Sequence, residues 1–111
     1  TGAAGDRGQH DNVLNVPLKP GGDGKVYREA FEHKVLPFLR QAKLTIPCEM
    51  CIRDSNHSDP LAYMNLIPED YGMMTHYLME ISPYPVLGLE GGYHLPSLAK
   101  SVVETLKPLL F

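Results

Sequence analysis

The run Val13-Leu14-Asn15-Val16-Pro17-Leu18 is apolar, short and closed by Pro17 and Pro20, which predicts a strand over residues 12–18. Lys19-Pro20-Gly21-Gly22-Asp23-Gly24 reads as a turn, with Asp23 placed to cap a helix starting near Lys25 by accepting first-turn N–H groups. Val26, Tyr27, Ala30, Phe31, Val35, Phe38 and Leu39 recur at helical spacing, opposite Arg28, Glu29, Glu32 and Lys34, so a helix with one packed and one wet face is expected over 25–40. Pro37 should kink or end it near Leu39. Residues 44–58 carry no consistent pattern. Pro68-Glu69-Asp70-Tyr71 puts Pro and two acids in a first helical turn, and Tyr71, Met74, Leu78 and Ile81 then mark the apolar face of a helix over 68–81. Pro85-Val86-Leu87-Gly88-Leu89 predicts a buried parallel strand, Glu90-Gly91-Gly92-Tyr93 a sharp turn, and Leu95, Leu98, Val102, Leu106 and Leu109 one face of a last helix over 95–109. Strand, helix, broken segment, helix, strand, helix is an α/β order.

The 111 residues amount to one small domain, and 43% hydrophobic with 21% charged residues is an ordinary globular composition. The formal charge is -3 and Lys and Arg form no stripe, which argues against direct nucleic-acid binding. No apolar run approaches the ~20 residues that span a bilayer, so no membrane partner is expected and the reading is cytoplasmic. The opening Thr1-Gly2-Ala3-Ala4-Gly5-Asp6-Arg7 has mid-loop chemistry, which leads us to expect that the chain begins inside a longer protein.

Chemistry concentrates in Leu87-Gly88-Leu89-Glu90-Gly91-Gly92-Tyr93-His94-Leu95, a strand running into a double glycine and an aromatic residue. Two glycines permit a tight turn and close approach of a ligand, and they leave a tyrosine hydroxyl at the C-terminal end of a strand, a common place for a site. A plainer alternative makes Tyr93 a core residue whose hydroxyl has found a partner.

Leu89-Glu90-Gly91-Gly92-Tyr93, with Leu98-Ala99-Lys100-Ser101-Val102 behind it, resembles the end of the zinc-dependent histone deacetylase family, which includes acetoin utilization and acetylpolyamine amidohydrolase proteins. Thr1-Gly2, Asn15-Val16-Pro17-Leu18, Tyr27 through Pro37, and Asp59-Pro60-Leu61 with Leu66 resemble further family stretches in the family order. The resemblance implies part of an arginase-deacetylase fold: at most three strands of a larger parallel sheet, flanked by three helices. It also implies hydrolysis of an acetylated amine such as an acetyl-lysine protein or an acetylpolyamine. In that chemistry a Zn2+ held by two Asp and one His polarises the amide carbonyl and activates water, a His accepts the proton, and a Tyr donates to the oxyanion.

Carried over by resemblance, Tyr93 is the catalytic tyrosine, Gly91 and Gly92 line the pocket beside it, and Pro60 and Leu61 form the wall of the acyl channel. Asp54, five residues before Asp59, matches a zinc-ligating Asp. Its surroundings depart from the family, because Glu49 and Arg53 put charges where a buried central strand should run, and the strand is expected to be spoiled. Cys48-Glu49-Met50-Cys51-Ile52-Arg53-Asp54-Ser55 reads like a translated sequencing adapter, so residues 47–55 are expected to be foreign to the gene. The other zinc ligands and the base would precede Thr1, and the chain alone is expected to be inactive.

Cys48 and Cys51 are too few for a structural zinc site, and Pro47 and Ile52-Arg53 do not provide the helix a redox pair needs. His10, His33, His57, His76 and His94 form no spaced metal pair. Two rival readings are a nucleotide-binding module built on Gly21-Gly22-Asp23-Gly24, which lacks the G-x-G-x-x-G spacing and a P-loop Lys, and a non-catalytic interaction domain.

Overall fold

The computed structural model describes residues 2–43, 49–52, 55–61 and 63–110, with 49–52 described by their backbone. Its elements are α1 (Gly24–Ala30), a π-helical turn (Phe31–Val35), α2 (Leu36–Gln41), β1 (Glu49–Ile52), α3 (Pro68–Met79), β2 (Val86–Leu89) and α4 (Leu95–Leu110). The Asp23 carboxylate caps α1 by accepting the Val26 N–H at 3.2 Å. Pro37 does not end the helix near Leu39 but distorts it. The chain widens into a π turn just before it, where the Leu36 N–H reaches the Phe31 carbonyl, and continues to Gln41. A proline ring collides with the carbonyl four residues back in a straight α-helix, and the wider turn relieves that collision.

Residues 12–18 are not a strand. A strand needs a ladder partner, and this segment is tied to the loop before it instead. The Val13 N–H donates to the Arg7 carbonyl at 3.0 Å, and Asn15 Nδ2 donates to the Ala3 and Asp6 carbonyls at 3.2 and 3.4 Å. Pro17 and Pro20 have no N–H to offer a neighbour.

The expectation that the strand near Glu49 is spoiled is also corrected. Glu49–Ile52 pairs in parallel with β2, Glu49 opposite Val86 and Ile52 opposite Leu89. Ladder bonds run between backbone groups, so unsuitable side chains do not by themselves prevent them. β2 is less buried than its sequence suggests: Val86 and Leu89 are each 56% exposed, while Leu87 packs on the core. A parallel strand is buried only when both sheet faces are covered, and Val86 and Leu89, which point to opposite faces, are both exposed in this chain.

Leu66, Tyr71, Met74 and Leu78 form the core, with Tyr27, Phe31, Leu39, Leu87, Leu98 and Val102 packed against it. α3 follows its predicted face. Asp70 secures its start by accepting the Ile67 N–H at 2.9 Å, and Ile81 lies just beyond its end, partly buried. α4 follows its predicted face only in part: Leu98 and Val102 pack on the core, but the buried residues are Ser97, Ser101 and Thr105, and Leu95, 72% exposed, Leu106 and Leu109 face outward. The reason is close approach. A Cβ on Gly72 of α3 would sit 2.9 Å from the Glu104 carbonyl oxygen of α4, so only small side chains fit at the crossing. The Ser101 and Thr105 hydroxyls donate to carbonyls four residues back, at 2.8 and 2.7 Å, which lets them be buried without unsatisfied groups. Among the described residues, no helix is long and apolar enough to cross a membrane.

Candidate functional site

The chain leaves β2 and enters α4 through residues 90–94. Gly91 and Gly92 adopt φ of 74° and 92°, a region side chains disfavour, and a Cβ on Gly92 would lie 2.8 Å from Leu98 Cδ1. His94 closes the turn as the cap of α4: its carbonyl accepts the Leu98 N–H at 3.0 Å and its Nδ1 accepts the Ser97 N–H at 3.3 Å. Between glycines and cap stands Tyr93, 59% exposed, its hydroxyl making no hydrogen bond to the described residues. Tyr71 is its opposite. It is 2% exposed, its hydroxyl lies 2.9 Å from Ser55 Oγ, and burial raises its pKa above the ordinary tyrosine value. The description of a core tyrosine with a partnered hydroxyl therefore fits Tyr71 and not Tyr93.

What holds Tyr93 is its backbone. The Tyr93 N–H donates to Asp59 Oδ2 at 2.6 Å, while Asp59 Oδ1 accepts the Leu61 N–H at 2.9 Å. Asp59 is only 6% exposed, and burial alone would push its carboxyl up. Backbone N–H groups of Tyr93, Leu61 and His94 outweigh burial and hold it below the ordinary carboxylate value. Asp59 is itself anchored: its N–H donates to the Asn56 carbonyl at 3.0 Å. Asn56 is buried, with Oδ1 on the Ser58 N–H at 3.0 Å and Nδ2 3.5 Å from Ser101 Oγ of α4.

One carboxylate thus joins the Asp59-Pro60-Leu61 turn to the Gly91-Gly92-Tyr93 turn across 34 positions of sequence. Pro60 and Leu61 are exposed beside it. Asp59 was not singled out as a site residue by its sequence, although an Asp accepting the N–H two residues on is a recognised turn former, which marks it as a structural hinge of its loop. Asp54 and Cys48 lie outside the described residues. Among those described, no group of three His, Cys, Asp or Glu could hold a metal ion. Asp59 is a poor ligand candidate because both its oxygens accept N–H groups, and His57 is turned to the Leu66 carbonyl and Ser58 Oγ. The described residues therefore do not by themselves fit a zinc ion.

The loop at 21–24 uses its polar groups internally. The Gly22 N–H donates to the Lys19 carbonyl at 3.3 Å and Asp23 caps α1, and a Cβ on Gly24 would meet the Asp70 carboxylate. A carboxylate at that point opposes a phosphate, so this loop lacks the open, cationic cradle of a nucleotide site.

The histone deacetylase domain family matches residues 1–109, and the chain belongs to that family. It is 88% identical over its full length to a Synechocystis sp. protein, slr0245, of which it covers 36%. It is 36% identical over 115 residues to histone deacetylase 15 of Arabidopsis thaliana, covering 99% of this chain and 21% of that protein. The crystal structure of the HDA15 HD domain superimposes with a TM-score of 0.89 at 31% identity over 99% of this chain and 33% of the other. The chain thus spans about a third or less of the length of these relatives, and its fold is the matching portion of a histone deacetylase domain.

Proposed function

We propose that the chain is the C-terminal part of a zinc-dependent deacetylase that hydrolyses an acetylated amine, either acetyl-lysine in a protein or an acetylpolyamine. Water adds to the amide carbonyl, the C–N bond breaks, the proton goes to the departing amine, and acetate is released. The observation that carries this reading is Tyr93: a tyrosine exposed in this chain, its hydroxyl without a partner among the described residues, beyond the C-terminal end of a parallel strand and held by its own backbone. Its O–H would donate to the oxygen that gains charge in the transition state. Gly91 and Gly92 keep bulk away from that oxygen, and Pro60 and Leu61 wall the approach of the acyl group. The Zn2+ is proposed to be held by residues outside those described, Asp54 among them if residues 47–55 are native.

The test uses the complete protein obtained by sequencing the gene on both sides of this chain and across residues 44–56. An acetyl-lysine peptide or an N-acetylpolyamine should be turned over, activity should disappear with a chelator and return with zinc, and the 111-residue chain alone should show no turnover above background. Failure of the complete protein on both substrate classes, or turnover indifferent to the chelator, would remove this reading.

A further inference from the structure

We infer that Asp59 is a positioning residue for the reaction, holding the Tyr93 hydroxyl and the Leu61 wall at a fixed separation through their backbone N–H groups. The inference deepens the proposed deacetylase reading and rests on it. Three observations carry it. Within this chain the Tyr93 ring is mostly exposed and its hydroxyl makes no hydrogen bond to the described residues, so side-chain packing among them does little to fix it. The two residues before it are glycines at positive φ, the most permissive backbone available. The remaining restraint on the amide of Tyr93 is the 2.6 Å bond to Asp59 Oδ2, and the other oxygen of the same carboxylate holds Leu61.

Asp59 can act as a fixed reference because it is buried and tied through Asn56 toward Ser101 on α4, the helix packed against α3. Its carboxylate accepts one N–H group on each oxygen, from two different loops, an arrangement suited to an ionised, acceptor-only group. An amide in its place turns an NH2 toward one of those donors. The loop that loses its acceptor is then free to move, and misplacing a reacting group by about 1 Å can lower turnover as much as 100-fold.

The experiment measures kcat and KM for the acetylated substrate in the complete protein, with Asp59→Asn, Tyr93→Phe and the double variant. Asp59→Asn should lower kcat roughly 10- to 100-fold with KM changed by less than about threefold. In the Tyr93→Phe background the same change should cost less than about threefold, because there is no hydroxyl left to misplace. If Asp59→Asn does not fold, Tyr93 is introduced as its α-hydroxy acid, which removes the one backbone N–H and leaves Asp59 intact; the same loss of kcat is expected. Near-normal kcat in the α-hydroxy acid protein, or an Asp59→Asn loss undiminished in the Tyr93→Phe background, would overturn the inference. Near-normal turnover of Tyr93→Phe itself would instead overturn the deacetylase role of Tyr93, so the two failures are told apart.

Discussion

Tyr71 and Tyr93 allow a paired experiment, because removing one oxygen atom from each should damage different properties. Tyr71 is 2% exposed and its hydroxyl is bonded to Ser55 Oγ at 2.9 Å. Tyr71→Phe deletes that bond and strands the serine hydroxyl, which costs about 1–2 kcal/mol of stability. In a domain of a few hundred residues that is a fall of a few degrees in melting temperature, at about 2–4 °C per kcal/mol. Tyr93 is 59% exposed with no hydroxyl bond among the described residues, so Tyr93→Phe should move stability by less than about 0.5 kcal/mol. If the hydroxyl donates chiefly in the transition state, turnover should fall about 100- to 1,000-fold, or about 3–4 kcal/mol of barrier. Both variants are made in the complete protein, and melting temperature and kcat are measured on the same preparations. The reasoning fails if Tyr93→Phe melts as low as Tyr71→Phe while keeping turnover within a factor of about three.

Gly72→Ala puts a methyl group 2.9 Å from the Glu104 carbonyl, against about 3.3–3.6 Å for a comfortable C···O contact. Overpacking of about 1–3 kcal/mol should exceed the helix-propensity gain of about 1 kcal/mol, and a lower denaturant midpoint is expected. Leu66 is fully buried, and Leu66→Ala should cost about 2–5 kcal/mol, read from the same midpoint. The Asp59 carboxyl is held below its ordinary value of 3.8, so the stabilisation is complete above that value and is lost as pH falls through the lower folded value. Asp59→Asn should therefore shrink the loss of stability between pH 7 and pH 3, and an unchanged loss in urea titrations would refute this.

Local chemistry wrote much of the scaffold into the chain. The Asp23 cap, the Pro68 start, the apolar period of Tyr71, Met74 and Leu78 and the double glycine before Tyr93 depend on residues a few positions apart, so their consequences are readable in order. Resemblance added Tyr93, Pro60 and Leu61 as a site and placed the chain in the family that it matches over residues 1–109. Tertiary contacts decided the rest. The apolar run at 12–18 found no ladder because Asn15 and Val13 bonded the preceding loop, and charged Glu49 did not stop the backbone of 49–52 from pairing. α4 buried Ser101 and Thr105 beside Leu98 and Val102, since at Gly72 the backbones of α3 and α4 approach closely, and the hydroxyls are satisfied by carbonyls of the same helix. Asp59 escaped notice as the holder of Tyr93 for the same reason: its partner is 34 residues away, and no local pattern reports which distant N–H a buried carboxylate will meet.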